Sequence, residues 1–248
     1  MKRLPGSVFS DADLAAFYDV HERDRADHAY CRALAQPHNS VLDLGCGTGT
    51  FALSLAHTHD LCAVDPAQAM LDIAQSQSEA HRITWVNQDA LSLSLDRTFD
   101  LIVLTGHSFQ VFLTTAQQNQ LLQTIKTHLS PDGQFIFDTR NPDFPGKKTR
   151  TKDETLCRIT SPQHGEVAHW NISTYDQTTQ ILSYSNSYKV LDTKLTYTGY
   201  DQIRYTPQSN IETMLAQNHL QAMQWLGEWD GTPFQPKSRE IIVVGTHV

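Results

Sequence analysis

Three glycines at alternate positions follow a short apolar run that carries one acid. Asp43 lies within this run at residues 41–44, and Gly45, Gly47 and Gly49 come directly after it. A glycine turn between a strand and a helix lets a ligand approach the backbone, because no Cβ blocks the way and a positive φ costs little. A carboxylate beside such a turn attracts a cation and repels a pyrophosphate. The sequence therefore predicts a nucleotide-like ligand that carries a positive group.

Two familiar glycine motifs do not fit this stretch. The dinucleotide fingerprint G-x-G-x-x-G needs a glycine at position 50, where the chain has Thr50. A phosphate-binding P-loop needs G-K-S or G-K-T, and neither follows. No H-E-x-x-H, C-x-x-C or other paired ligand pattern occurs, so the sequence predicts no metal site.

The stretch resembles motif I of the class I S-adenosylmethionine-dependent methyltransferases, in which a strand ends in an acid, an apolar residue and G-x-G-x-G. Asp43, Leu44, Gly45, Gly47 and Gly49 match that pattern. The resemblance implies S-adenosylmethionine as the cofactor and S-adenosylhomocysteine as its product. It also implies that the acid and the loop receive the methionine ammonium and carboxylate, and that the glycines lie against the ligand.

The resemblance implies further cofactor contacts at the ends of the next two strands. Asp65 ends the second strand, where an acid can bind both ribose hydroxyls; the alternative is that it caps the following helix. Gln88, Asp89 and Ala90 follow the third strand, where members of the family contact the adenine, and the alternative for Asp89 is to cap the next turn. Tyr18 resembles an aromatic lid over the cofactor, with ordinary packing as the alternative.

Candidate acceptor residues follow the fourth and fifth strands. Histidine is the residue type suited to general base catalysis near neutral pH, so His107 is the candidate general base, with Gln110 as an orienting group. After the fifth strand, Asp138 can orient or deprotonate an acceptor, Arg140 can bind a carboxylate or phosphate, and Asn141 can hydrogen-bond to either. The alternatives are a hydrogen-bonded loop histidine and a structural ion pair between Asp138 and Arg140.

Alternating strands and helices must position these residues. Apolar runs that predict strands alternate with stretches that predict helices, and a T-x-x-Q capping box of Thr115 with Gln118 begins one helix. This alternation predicts an α/β fold with a parallel sheet and helices on both faces, and the resemblance implies a doubly wound sheet of about seven strands with the last one antiparallel. The predicted strands are 41–44, 61–64, 83–86, 101–104, 134–139, 221–228 and 239–245, and the predicted helices include 49–57, 67–79 and 208–218.

The regular alternation stops after NPDFPGKK, at residues 141–148. The chain then switches to period-two stretches rich in Thr, Tyr, Ile and Val, which predict a small antiparallel sheet. We expect a cofactor-binding core at 1–146 and 207–248 and a β insert at 147–206 over the substrate side. Inserts at this place occur in small-molecule methyltransferases, and because such surfaces also form dimer contacts, a homodimer is compatible with the sequence.

Charge and composition narrow the class of partner. The net charge of −8 works against nucleic acid, whose phosphates are bound by clustered Lys and Arg. No apolar run approaches the roughly 20 residues of a membrane span, and no signal-peptide pattern begins the chain, so we expect a cytoplasmic protein with no membrane partner.

The sequence thus predicts a methyltransferase that uses S-adenosylmethionine to methylate a small molecule at oxygen or nitrogen. The alternatives are a protein of the same fold that binds the cofactor without methyl transfer, or a propylamine transferase.

Overall fold

The structure of the protein is a computed structural model that describes Phe9 and residues 11–21 and 25–248. Eleven strands and seven α-helices make up this part of the chain. The strands are β1 (Ser40–Leu44), β2 (Asp60–Val64), β3 (Thr84–Val86), β4 (Phe99–Leu104), β5 (Leu129–Arg140), β6 (Cys157–Ser161), β7 (Gly165–Asp176), β8 (Ile181–Val190), β9 (Thr196–Arg204), β10 (Leu220–Leu226) and β11 (Glu240–His247). The helices are α1 (Ala12–Ala15), α2 (Ala26–Ala35), α3 (Thr50–Leu55), α4 (Gln68–Gln75), α5 (Thr115–His128), α6 (Lys152–Thr155) and α7 (Gln208–Gln217).

Seven of the strands form one sheet in the order β3-β2-β1-β4-β5-β11-β10. The first five of these strands pair in parallel, whereas β11 is antiparallel to both β5 and β10. This arrangement confirms the predicted doubly wound sheet with an antiparallel last strand. The chain order reverses between β1 and β4, and the carboxyl ends of the parallel strands meet at that point, which is where open α/β sheets bind ligands.

Alternate residues of the central strands pack into two different layers. Leu42, Leu44 and Ile102 belong to one buried cluster, and Val41 and Val103 belong to another. Helices α5 and α7 cover the first layer, and α2 and α3 cover the second. Because both faces are covered, the strands read as continuous apolar runs, and each fully buried large side chain contributes about 1.5–3 kcal/mol.

Helix α5 begins one residue earlier than the sequence predicts. The capping box joins Thr114 to Gln117: the Gln117 N–H donates to Thr114 Oγ1 at 3.2 Å, and the Thr114 N–H donates to Gln117 Oε1 at 3.1 Å. The stretch TTAQQ allows T-x-x-Q in two registers. Gln118, in the predicted register, is instead buried and donates to Phe112 O and Thr206 Oγ1, so tertiary contacts select the earlier start. No helix in the described part of the chain is both long and apolar enough to cross a membrane.

The remaining four strands form a separate antiparallel sheet in the order β6-β7-β8-β9, and all of them lie between residues 147 and 206. One face of this sheet packs on the N-terminal segment, where Phe17 stacks on Tyr188 with ring centroids 4.5 Å apart. Arg204, at the end of β9, donates to Leu113 O and Thr115 Oγ1 and so ties the sheet to the start of α5. The division of the chain into a core and an insert stays a prediction.

Candidate active site

The glycine loop after β1 holds three left-handed residues, Gly45, Gly47 and Gly49, with φ of 84°, 54° and 76°. A Cβ on Gly49 would lie 2.5 Å from Trp85, so this glycine allows the loop to pack against β3. A Cβ on Gly47 would meet only Tyr18, at 3.8 Å, so here the missing side chain leaves bare backbone facing that ring. The first two glycines can therefore lie against a ligand, whereas Gly49 is required for packing.

Asp43 is 1% exposed and its Oδ1 has no hydrogen-bond partner. The pKa of this carboxyl is raised to about 7: burial raises it most and the nearby charge of Asp65 also raises it, whereas the Arg25 guanidinium and the Ala52 backbone N–H lower it. A buried acceptor atom without a donor costs free energy until a ligand supplies one. The ammonium of an amino-acid tail fits this requirement. The glycine loop that follows leaves room for a ligand to approach the protein backbone.

Asp65 holds the turn between β2 and α4. Its Oδ2 accepts the Gly47 N–H at 2.9 Å and its Oδ1 accepts the Ala67 N–H at 2.8 Å. These bonds are the capping role given above as the alternative, extended to the glycine loop. Each carboxylate oxygen has a second lone pair, so the same side chain can also accept from ribose hydroxyls. Burial raises the pKa of Asp65. Its ribose contact stays a prediction.

The residues after β3 form a tight turn. Asp89 is exposed and its Oδ1 accepts the Leu91 N–H at 2.8 Å, which is the turn-capping alternative. Gln88 is also exposed, whereas Ala90 is buried and its carbonyl accepts from Thr124 Oγ1 at 2.8 Å. The turn lies at the carboxyl end of β3, on the same edge of the sheet as Asp65. Adenine binding by these residues stays a prediction.

The N-terminal segment closes over the glycine loop and contributes residues that the sequence analysis did not select. Tyr18 begins a short 3-10 helix, and the next residue, Asp19, accepts a hydrogen bond from Thr48 Oγ1 at 2.9 Å. Arg25 pairs with Asp27, which also accepts the Gly106 N–H at 3.2 Å. Tyr18 and Arg25 line one crevice together with Gly45, Cys46, Thr48 and Thr105. In the sequence Arg25 is one residue in a run of charges, and no spacing marks it.

We call the residues that follow β1, β2 and β3 the cofactor edge, and those that follow β4 and β5, together with Glu240, the acceptor edge. At the acceptor edge the backbone N–H of His107 donates to Asp138 Oδ1 at 3.0 Å. The His107 Nε2 lies 2.9 Å from Glu240 Oε2 and 3.2 Å from Asp138 Oδ2. The side chains of His107, Asp138 and Glu240 are 22%, 1% and 7% exposed, so among these three only the imidazole is partly exposed.

The expected ion pair between Asp138 and Arg140 is wrong, because the partner of Asp138 is His107. Burial raises the pKa of Asp138, and the charge of Glu240 acts in the same direction, whereas His107 lowers it. Glu240 begins β11 and lies directly across the sheet from Arg140. The sequence analysis missed Glu240; the only local signal is a charge at the start of an otherwise apolar strand.

The other predicted acceptor residues are held mainly by backbone. Gln110 is fully buried; its Oε1 accepts the Arg140 N–H at 3.3 Å, and its Nε2 has no partner. The Asn141 Nδ2 donates to the carbonyls of Pro236 and Ser238, and its Oδ1 accepts the Asp143 N–H. Arg140 is half-buried, and its side chain makes no hydrogen bond or ion pair with the described residues. Substrate binding by Gln110, Arg140 and Asn141 stays a prediction.

The two edges adjoin because β4 pairs directly with β1. Ser108, next to His107, lies so close to the glycine loop that a Cβ on Gly45 would come 3.0 Å from its Oγ. The arrangement therefore brings a candidate base, with two carboxylates behind it, next to a loop suited to an adenosine ligand with a positively charged tail.

Comparison with known proteins gives a consistent answer. Residues 41–133 match a family model described as a methyltransferase domain. The cypemycin N-terminal methyltransferase of a Streptomyces species is 29% identical, over 83% of this chain and 82% of that protein. The malonyl-[acyl-carrier protein] O-methyltransferase of Bacillus cereus is 34% identical, but over only 40% of this chain and 36% of that protein.

The fold is also that of solved methyltransferases. The sugar N-methyltransferase KedS8 from a Streptoalloteichus species superposes with a TM-score of 0.79 at 18% identity, over 100% of this chain and 96% of that one. The matched domain and the shared fold agree with the resemblance found in the sequence. Part of this chain thus matches a methyltransferase domain, and the described structure has the fold of solved methyltransferases.

Proposed function

We propose that this methyltransferase transfers a methyl group from S-adenosylmethionine to the nitrogen of a small-molecule amine. The observation that carries the proposal is the His107 imidazole, held by Asp138 and Glu240 beside the glycine loop. A base at this place can take the proton that an amine loses on methylation. The sulfonium of the cofactor supplies the electrophilic methyl group, and the chain must align the acceptor, exclude water and receive that proton.

The contacts of His107 assign its two ring nitrogens different roles. Because the Glu240 carboxylate lies 2.9 Å from Nε2, we assign the proton of the neutral ring to Nε2, which then donates to that carboxylate. Nδ1, which makes no hydrogen bond to the described residues, is then the atom that can accept a proton. Asp138 fixes the loop after β4, because its Oδ1 accepts the backbone N–H of His107. This is the logic of a catalytic histidine oriented by a carboxylate, with Asp138 and Glu240 as positioning residues.

At the cofactor edge, Asp43 would accept the ligand ammonium through its unpartnered Oδ1. Arg25, which lines the crevice at the glycine loop, would bind the ligand carboxylate. Asp65 would receive the ribose hydroxyls. The remaining predicted contacts are the ring of Tyr18 over the ligand and the adenine contacts of Gln88, Asp89 and Ala90.

Nitrogen rather than oxygen is favoured by the relatives that match along most of the chain. One relative is named as an N-terminal methyltransferase, and one solved structure that covers the whole chain is a sugar N-methyltransferase. The O-methyltransferase matches a much shorter stretch. The net charge of −8 supports a small acceptor rather than nucleic acid, and the β insert at 147–206 would cover that acceptor. Methyl transfer is favoured over mere cofactor binding and over propylamine transfer, because these relatives are methyltransferases.

An acceptor screen tests the proposal. The purified chain would be incubated with S-adenosylmethionine and matched pairs of compounds, each pair comprising an amine and the alcohol of the same skeleton. We expect S-adenosylhomocysteine and a product heavier by one methylene with members of the amine set, and neither with the alcohols. Methylation of the alcohols alone would contradict the nitrogen assignment. Cofactor binding without turnover across broad pools of both classes would favour the binding-protein alternative.

A further inference from the structure

His107, Asp138 and Glu240 bring three donor atoms of metal-binding type to one point. The His107 Nε2, one oxygen of Asp138 and one of Glu240 all lie within 4.8 Å of one another. They come from the loop after β4, the end of β5 and the start of β11, so three neighbouring strands hold them in place. Two of the three side chains are at least nine-tenths buried.

A second observation points to a ligand at this cluster. The Asp138 Oδ2 is buried and has no hydrogen-bond partner, although it lies 3.2 Å from His107 Nε2. The distance is that of an ion pair, but Nε2 carries a single proton and Glu240 accepts it at 2.9 Å. The Nε2 proton, directed to Glu240, therefore leaves the Asp138 Oδ2 without a donor. A buried carboxylate oxygen that receives no hydrogen bond from the neighbouring nitrogen is costly, and a bound cation would remove that cost.

We propose that His107, Asp138 and Glu240 form a binding site for one divalent transition-metal ion. Tetrahedral Zn²⁺ lies about 2.0–2.2 Å from nitrogen and carboxylate oxygen, which places such donors about 3.3–3.6 Å apart. The two measured separations from Nε2, 2.9 and 3.2 Å, require only a slight expansion. One imidazole and two carboxylates suit Zn²⁺, Co²⁺ or Mn²⁺, whereas Mg²⁺ prefers an octahedron of oxygen atoms. The partly exposed side of His107 leaves the fourth position toward the acceptor crevice.

The ion and the proposed base exclude each other. When Nε2 binds the ion, the proton of the neutral imidazole lies on Nδ1, and the ring then has no free nitrogen to accept a proton from an amine. Zinc should therefore inhibit methyl transfer. Only this consequence rests on the proposed function; the site itself rests on the geometry of the three side chains. Spacing motifs could not predict the site, because the ligands are separated by 31 and 133 positions from His107.

The test measures metal binding directly. The whole chain, stripped of metal with a chelator, would be titrated with ZnCl₂ by calorimetry and with CoCl₂ by visible absorption, which reports the coordination geometry. We expect one site per chain. The variants are Glu240→Gln, which keeps the shape of the side chain, and His107→Asn, which suits the left-handed backbone at φ 62°. Each should weaken zinc binding by at least about 100-fold, since even the loss of an outer partner of a metal ligand costs about 10–100-fold.

A surface pair provides the matched control. His57 lies 3.2 Å from Glu79 on the exterior, and His57→Ala should leave zinc affinity unchanged. Circular dichroism would establish that each variant is folded. Undetectable zinc binding to the parent chain, equal affinity in the parent and in folded Glu240→Gln, or binding lost only in His57→Ala would each overturn the proposal. The calorimetry needs no acceptor, so its outcome is independent of whether amines are methylated, and zinc inhibition is then measured on whichever acceptor the screen identifies.

Discussion

Asp43 and Asp138 occupy similar positions at the two edges of the active site, yet their surroundings differ. Each lies near the end of a parallel strand, is 1% exposed and has one oxygen without a hydrogen-bond partner. Asp43 faces the backbone of a loop that begins two residues later. Asp138 instead meets His107 and Glu240, which are far from each other in sequence.

This difference fits what we propose each edge to bind. The cofactor edge would bind S-adenosylmethionine, and one short continuous motif would hold its charged tail. The acceptor edge is assembled by tertiary structure from separate strands, so it can vary without disturbing the glycine loop. Predictions that separate cofactor affinity from turnover therefore test whether the two edges are functionally distinct.

The largest expected effect is on turnover. His107→Asn should lower kcat by about 10²–10⁴-fold, the range that general acid–base catalysis contributes, because it removes the imidazole that we propose takes the proton. Calorimetry should find cofactor affinity changed by less than about twofold, because His107 belongs to the acceptor edge. His57→Asn, on the exterior, is the control and should keep full activity. Full turnover in His107→Asn would leave His107 with a structural role only.

The next effect is on cofactor affinity. Asp43→Asn should weaken S-adenosylmethionine and S-adenosylhomocysteine binding by about 100-fold, because truncating one partner of a buried charged pair costs about 2–5 kcal/mol. Asp100→Asn is a matched control, since Asp100 lies at the opposite end of β4 and accepts the N–H groups of Asn39 and Ser40. Unchanged cofactor affinity in Asp43→Asn would show that the ligand ammonium lies elsewhere.

The same substitution should have the opposite effect on the empty protein. The pKa of Asp43 is about 7 in the folded state and 3.8 as its ordinary value. The folded state thus binds more protons between these values, so the contribution of Asp43 to stability is present below about pH 4 and is lost as the pH rises through about 7. The upper limit from such a pKa difference is about 4 kcal/mol, and we expect about 2 kcal/mol after relaxation.

Urea unfolding at pH 5 and pH 8 would measure this contribution. The loss of stability between the two pH values should be smaller in Asp43→Asn than in the parent by that amount. An equal loss in both proteins would mean that Asp43 is already ionised in the empty site.

The smallest effect concerns the ribose. Asp65→Ala should weaken the binding of both S-adenosylmethionine and S-adenosylhomocysteine by about tenfold, since one charged hydrogen-bond partner contributes about 1.5–3 kcal/mol. Asp65→Asn keeps an acceptor for the Ala67 N–H but loses the second carboxylate oxygen. The cofactor affinity of this variant should therefore lie between those of Asp65→Ala and the parent protein. Unchanged affinity by calorimetry in both variants would leave Asp65 as a cap of the turn and nothing more.

Much of the fold is predictable from local patterns. The predicted strand runs correspond to β1–β5, β10 and β11, because buried parallel strands are continuous apolar stretches. The boundaries are less well predicted: helix α4 covers Gln68–Gln75, whereas the sequence suggested 67–79, and the polar stretch after it does not continue the helix. The predicted start of α5 was wrong by one residue, because the sequence contains two overlapping capping boxes.

The residues of the candidate site differ in how well the sequence predicts them. Asp43, Gly47 and Asp65 are recognisable because they lie at fixed places after strands. Arg25 and Glu240 were missed, since neither belongs to a local pattern and both reach the site only through packing. Their positions depend on how the N-terminal segment and the antiparallel β11 dock on the sheet, which no single stretch of sequence determines.

The near-neutral pKa of Asp43 has a calorimetric consequence. In the empty protein near pH 7 this carboxyl is only partly ionised, whereas a bound ammonium requires the carboxylate. With the cofactor ammonium on Asp43 as proposed, loading should expel part of a proton into the medium, and the heat recorded should include protonation of the buffer. Titrations in phosphate and in Tris should give the same dissociation constant but different apparent enthalpies, and the slope of apparent enthalpy against buffer ionisation enthalpy counts the protons expelled.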